Sequence, residues 1–234
     1  MELRPYQKAA AAAVFERWDS GGKSALIVLP TGCGKTVIFS DIAKKCVEQG
    51  KRVLILAHRG ELLEQAQQKL KDYTKDEARG IAGLECAIEK AQQTCLDSFY
   101  RVVVGSVQSF SAKRLRKFSH DYFDIIIIDY LQLLEYHKPC GNKNIDVGEI
   151  SKAIKQLAME LQKPIIVLSQ LNRSSTYTAS KEPSMSELRD SGAIEQDAST
   201  IILMWNLSEN PDYREFKGLK VDKNRQARMT IIHL

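Results

Sequence analysis

No stretch of the 234 residues approaches the roughly 20 apolar residues that a membrane-crossing helix needs. The start, Met1 to Ala13, carries charges and an alanine run but no apolar leader core, so a soluble, unprocessed, cytoplasmic chain is expected. The five cysteines, Cys33, Cys46, Cys86, Cys95 and Cys140, are odd in number and contain no C-x-x-C pair, which argues against a disulfide framework or a zinc site. His58, His120, His137 and His233 lack ligand spacing, and no bound transition metal is expected. Neither sign of charge dominates: the net +5 suits a polyanionic partner without demanding one. Internal repeats are absent, and the short alanine run is simply a strong helix former.

What is present reads as an α/β fold. Short unbroken apolar runs recur at Ala25 to Leu29, Val53 to Ala57, Val102 to Val104, Ile125 to Ile128, Ile165 to Leu168 and Ile201 to Met204, as expected of strands buried on both faces. Helical patterns lie between them: Pro5 to Trp18, Lys35 to Gln49 closed by Gly50, Glu61 to Tyr73, and Val147 to Gln162 stopped by Pro164. Alternation of this kind predicts a mainly parallel sheet flanked by helices. Runs near Gly218 to Val221 and Met229 to Leu234, separated by the polar Asp222 to Arg228, predict a C-terminal hairpin at the sheet edge. Tyr136 to Asp146 and Asn172 to Pro183 read as loops. With 44% hydrophobic residues the chain can bury a full core, and a single domain spanning 1–234 is expected.

The segment Pro30-Thr-Gly-Cys-Gly-Lys-Thr36 leaves one such strand and opens a helix, the context in which a phosphate-binding loop is meaningful. Its glycines, Gly32 and Gly34, let backbone N–H groups of Thr31 to Thr36, Cys33 included, turn toward phosphate oxygens, and the helix N-terminus adds its positive end. Lys35 is expected to reach the β and γ phosphates of ATP, and Thr36 to place its hydroxyl on magnesium. The strict pattern wants Gly where Leu29 stands. Asp129 closes the run Ile125 to Ile128, so its carboxylate is expected at the C-terminal edge of the sheet, where open α/β sheets bind ligands and a single acid can hold magnesium.

Two resemblances meet in the chain. The pieces Leu3-Arg-Pro-Tyr-Gln7, Leu29 to Thr36, Leu56-Ala-His-Arg-Gly-Glu-Leu-Leu63 and Val104-Gly-Ser-Val-Gln108 make residues 1–123 resemble the first motor domain of superfamily 2 helicases. That resemblance implies that Gln7 reads the adenine edge and that His58, Arg59 and Gln108 sit near a nucleic-acid backbone. Residues 124–234 resemble the ATPase domain of DnaB-type replicative helicases. The pieces that carry this are Ile128-Asp-Tyr-Leu-Gln-Leu133, Ile166-Val-Leu-Ser-Gln-Leu-Asn-Arg173, Ser186 to Asp197 and Val221-Asp-Lys-Asn-Arg225. It implies that Gln170 senses the γ-phosphate and that Lys223 and Arg225 act on ATP held by a neighbouring subunit. The loop that includes Arg173 would face DNA. Both resemblances imply a RecA-like P-loop NTPase, so a join within the strand ending at Asp129 preserves the sheet, and a chimera of two lineages is expected, with shared descent and unusual drift as the alternative.

A join there discards both families' catalytic glutamates, since Tyr130 follows Asp129 and Arg59 stands where the other family's Glu would be. Hydrolysis needs a residue that positions the attacking water. Glu61 is the nearest acidic candidate, its alternative being an ordinary first-turn helix residue. ATP binding with slow turnover is therefore expected, with a scaffold that binds nucleotide without helicase activity as the alternative. Use of Lys223 and Arg225 requires self-association. Lys113-Arg-Leu-Arg-Lys117, with Arg114 at its centre, could contact DNA phosphates or be a solvated helix face.

Overall fold

In a computed structural model of the chain, every apolar run named above is a strand. The structure describes residues 3–22, 24–30, 33–57, 60–75, 83, 85–89, 100–108, 117–119, 121–136, 139, 141–170, 182–183, 191–208, 217–224 and 230–233. It separates into two compact units, one of residues 1–3 and 36–129 and the other of residues 4–35 and 130–234.

The first unit contains α2 (Lys35–Glu48, from its second residue), β2 (Val53–Ala57), α3 (Gly60–Thr74), β3 (Cys86–Glu89), β4 (Val102–Ser106) and β5 (Ile125–Asp129). Its strands are all parallel in the order β3-β4-β2-β5. Val53, Ile55, Val102 to Val104 and Ile127 are fully buried, as are Ile38, Phe39 and Ile42 of α2. Each side chain of this size contributes roughly 1.5–3 kcal/mol on leaving water. At the other end of the strands Asp124 Oδ2 accepts the Arg52 N–H at 2.8 Å, and the Arg52 guanidinium stacks 4.4 Å from the centroid of the Tyr122 ring.

The second unit contains α1 (Pro5–Asp19), β1 (Ser24–Leu29), a 3-10 turn (Leu131–Leu133), α4 (Lys143–Leu161), β6 (Ile165–Gln170), α5 (Ser191–Asp197), β7 (Thr200–Asn206), β8 (Lys217–Asn224) and β9 (Thr230–His233). Strand order is β6-β1-β7-β8-β9. β1 runs parallel to both neighbours, while β7-β8-β9 is antiparallel, so the expected hairpin does close the edge. Helix α1 packs on β8, β1 and β7 through Tyr6, Gln7, Ala10, Ala11, Val14 and Arg17, the spacing of one helical face. Its alanines do more than favour a helix, because Ala10 and Ala11 are fully buried and let the backbone lie close to the sheet. Gly218 serves the same end: a Cβ there would meet the Trp205 indole at 2.1 Å.

Four expectations need correction. Strand β3 was not anticipated, and neither was the short helix α5. Helix α4 begins at Lys143, inside the expected loop, and it ends at Leu161 because Gln162 takes a left-handed φ of 53°. The polar stretch expected as a turn from Asp222 is strand as far as Asn224, because Lys223 and Asn224 pair antiparallel with Ile201 and Thr200 of β7; Lys220 pairs with Asp222 at 2.8 Å and with Glu182 at 2.6 Å. Most of the loop expected at Asn172 to Pro183 lies outside the described residues.

Candidate nucleotide site

The phosphate loop leaves β1 at Leu29, which pairs with Gln170 at the end of β6. Thr31 and Gly32 lie outside the described residues. Gly34 has a φ of 76°, a left-handed conformation that only glycine adopts without strain, and Lys35 then opens α2. The turn thus delivers the chain to a helix N-terminus, whose first N–H groups lack intrahelical partners and favour an anion. The Thr36 carbonyl accepts the Ser40 hydroxyl at 2.7 Å, a contact that uses the backbone of Thr36 and not its hydroxyl.

The first turn of α1 is tied to this loop. Both the Tyr6 hydroxyl and the Gln7 amide nitrogen donate to the Cys33 carbonyl, each at 3.4 Å, and the Gln7 amide oxygen accepts the Arg4 N–H at 3.0 Å. Gln7 is 5% exposed, with both ends of its amide engaged within the chain. Reading an adenine edge would require exchanging one of these contacts. Burial pushes the Cys33 thiol above its usual range, and Lys217, Lys35 and Arg4 pull it back, so the loop carries a positive local field. The Lys35 ammonium lies 5.7 Å from the centroid of the Tyr130 ring, within range of a cation–π attraction.

In the first unit, Ala57, Ser106 and Asp129 occupy one row where β2, β4 and β5 end together. Half-buried Asp129 therefore stands at the C-terminal edge, as expected. Glu61 lies in the first turn of α3, its side chain outside the described residues, and Gln108 is exposed just past β4. Arg59, Arg114, Arg173 and Arg225 are not among the described residues. Lys223 pairs through its backbone with Ile201, its side chain undescribed. In the second unit the Gln132 amide donates to the Ser169 hydroxyl at 2.7 Å and to the Gln170 carbonyl at 3.4 Å, fixing the end of β6 that presents Gln170.

Thr36 and Asp129 are hard oxygen donors of the kind magnesium takes, and Mg²⁺ bound with phosphates typically uses one or two carboxylates plus phosphate oxygens. The described residues contain no group of three His, Cys, Asp or Glu side chains that could hold a metal ion. Sequence reasoning missed Tyr6, which donates to the loop's Cys33 carbonyl, Gln132, which holds the end of β6, and Lys217, which lies near the loop. Tyr6 and Gln132 lie inside motifs already singled out, whereas Lys217 carries no local signal.

Comparison with known proteins gives a consistent result. Residues 20–234 match the family model of the DnaB-like helicase C-terminal domain. A replicative DNA helicase DnaB of Buchnera aphidicola (subsp. Acyrthosiphon pisum) is 32% identical over 157 residues, 66% of this chain and 34% of that protein. The DnaB of Leifsonia xyli is 50% identical over 80 residues, 34% of this chain and 18% of that protein. The chain thus spans about a third or less of the length of these curated relatives. Among solved structures, one of a DnaB-like replicative helicase and its interactions with primase superposes with a TM-score of 0.63 at 23% identity. It covers 97% of this chain and 63% of that one. The fold is therefore RecA-like, a mainly parallel sheet with flanking helices. Among the described residues no helix is long and apolar enough to cross a membrane.

Proposed function

This chain belongs to the family of DnaB-like helicase C-terminal domains, and on that footing we propose that it is an ATP- and magnesium-binding motor domain with slow hydrolysis. The observation that carries the reading is the loop itself, with Gly34 left-handed and Lys35 at the first position of α2. Residues 1–234 act in this reading as one nucleotide-binding domain of the cytoplasm. Backbone groups of Thr31 to Gly34 cradle phosphates, Lys35 binds the terminal phosphates, and Gln170 senses the γ-phosphate from the strand beside the loop. Thr36 and Asp129 would hold magnesium, which when bound neutralises phosphate charge.

Turnover is slow in this reading because neither position at which the two families place a catalytic glutamate carries one, Tyr130 following Asp129 and Arg59 standing at the other. Glu61 is the substitute base in this reading. Lys223 and Arg225 complete the site of a neighbouring copy, so self-association is part of the proposal. Arg59, Gln108, Arg114 and Arg173 contact DNA, single-stranded or duplex, with the curated relatives being replicative DNA helicases.

Single-turnover hydrolysis with Lys35→Ala as control tests the reading. Measurable analogue binding that Lys35→Ala abolishes, with a rate far below that of DnaB helicases, is expected; a full helicase-like rate overturns slow turnover. A second reading, a recombinant of two P-loop lineages joined near Asp124 that binds nucleotide without helicase activity, rests on the superfamily 2-like motifs before residue 123. The family match, which begins at residue 20 and runs through the join, weighs against it.

A further inference from the structure

Lys217 opens β8 with its side chain only 5% exposed, and lysines are seldom buried to that degree. Its ammonium donates to the Asn206 amide oxygen at the end of β7 and lies 6.0 Å from the centroid of the Tyr6 ring. The Tyr6 hydroxyl in turn donates to the Cys33 carbonyl. Ammonium, ring and phosphate loop therefore form one continuous chain of contacts. The same conclusion follows from electrostatics: of the three cations that lower the Cys33 thiol against its burial, Lys217 acts most strongly, ahead of Lys35. Taking an ammonium out of water is costly, and an apolar side chain of similar volume would pack β8 against α1 without that cost.

We propose that Lys217 is a positioning residue of the nucleotide site, which holds Tyr6 against the Cys33 carbonyl and adds a fixed positive charge to the loop that receives the polyphosphate. The inference rests on the nucleotide reading given above and deepens it. Its signature is dependence on ligand charge. A purely mechanical brace would affect all nucleotides alike, whereas a fixed cation favours ATP over ADP because ATP carries the larger negative charge.

Equilibrium binding of fluorescent ATP and ADP analogues to the full chain separates these. Lys217→Met is expected to weaken ATP binding by roughly tenfold and ADP binding by roughly threefold, the size of a charge interaction across several ångströms of partly polar protein. Lys217→Gln keeps a donor for Asn206 and drops the charge, so it should give the same split even if Lys217→Met fails to fold. Lys217→Arg should restore most of the ATP affinity. Tyr6→Phe removes only the hydroxyl and should weaken both nucleotides equally, by about two- to fivefold. Equal losses for ATP and ADP in the charge-removing variants, or no loss, overturn the proposal while the nucleotide reading stands. A wild-type chain that binds neither analogue overturns both.

Discussion

Replacing Tyr130 by glutamate places a carboxylate directly after Asp129, and two effects of different size follow. The smaller is loss of the contact between the Lys35 ammonium and the Tyr130 ring, 5.7 Å apart. A cation–π contact of this kind contributes about 0.5–1 kcal/mol. In the proposed reading Lys35 turns to the phosphates on binding, so removing its resting contact shifts nucleotide affinity by only about two- to fivefold. The larger effect is chemical. A positioned general base is worth on the order of 10²–10⁴ in rate. The second effect exceeds the first by more than an order of magnitude, so single-turnover hydrolysis at saturating ATP reads the base almost alone. Tyr130→Glu should raise that rate by about 100-fold or more, while Tyr130→Gln and Tyr130→Leu should leave it near the starting value. If Tyr130→Glu leaves the rate unchanged, or Tyr130→Gln raises it equally, the missing carboxylate is not what limits turnover.

Other outcomes can be checked more simply. Gly218→Ala drives a methyl into the Trp205 indole, which a built Cβ meets at 2.1 Å, and should cost about 1–3 kcal/mol in chemical denaturation. Gly34→Ala forces alanine to a φ of 76°, costing about 1–2 kcal/mol, and analogue binding should fall with little change in far-ultraviolet circular dichroism. Asp124→Ala leaves the Arg52 N–H without its 2.8 Å acceptor and should lower stability by about 1–3 kcal/mol; an unchanged denaturation midpoint would refute that contact. Burial pushes the Cys46 and Cys86 thiols from 9.0 up to about 12, so the folded state resists losing those protons. Their contribution to stability is complete below pH 9 and declines as pH rises from there toward 12, a fall that Cys46→Ala should reduce in a series of thermal melts.

How much was legible depended on whether a feature was local. Strands β1, β2, β5 and β6 announce themselves because Ile, Val and Leu run unbroken where both faces are covered. Strand β3 does not, since Cys86-Ala-Ile-Glu89 is short, has one β-branched residue and carries an acidic residue that is nonetheless fully buried. Helix α5 hid for a related reason: seven residues with Gly192 inside give no readable period. The end of β8 looks like a turn because Asp222, Lys223 and Asn224 are polar, yet Lys223 and Asn224 continue the antiparallel ladder with Ile201 and Thr200 of β7, and the ammonium of Lys220 on the same strand offsets the Asp222 carboxylate. In the site, Gly34, Lys35 and Thr36 were legible because a phosphate loop is contiguous. The inward engagement of Gln7 and the burial of Lys217 were not, because both depend on α1 and β8 meeting the loop in space.

The tie between α1 and Cys33 bears on where this domain should be said to begin. The family match starts at residue 20, one residue beyond the last residue of α1. A boundary drawn from that match would discard Tyr6 and Gln7, uncover the sheet face that Ala10 and Ala11 close, and leave the Cys33 carbonyl without its two donors. A chain trimmed to the recognisable family core would keep every residue of the phosphate loop and still lose what holds its turn in place. The unit that holds the loop's turn in place is therefore longer at its N-terminal end than the segment that the family model matches.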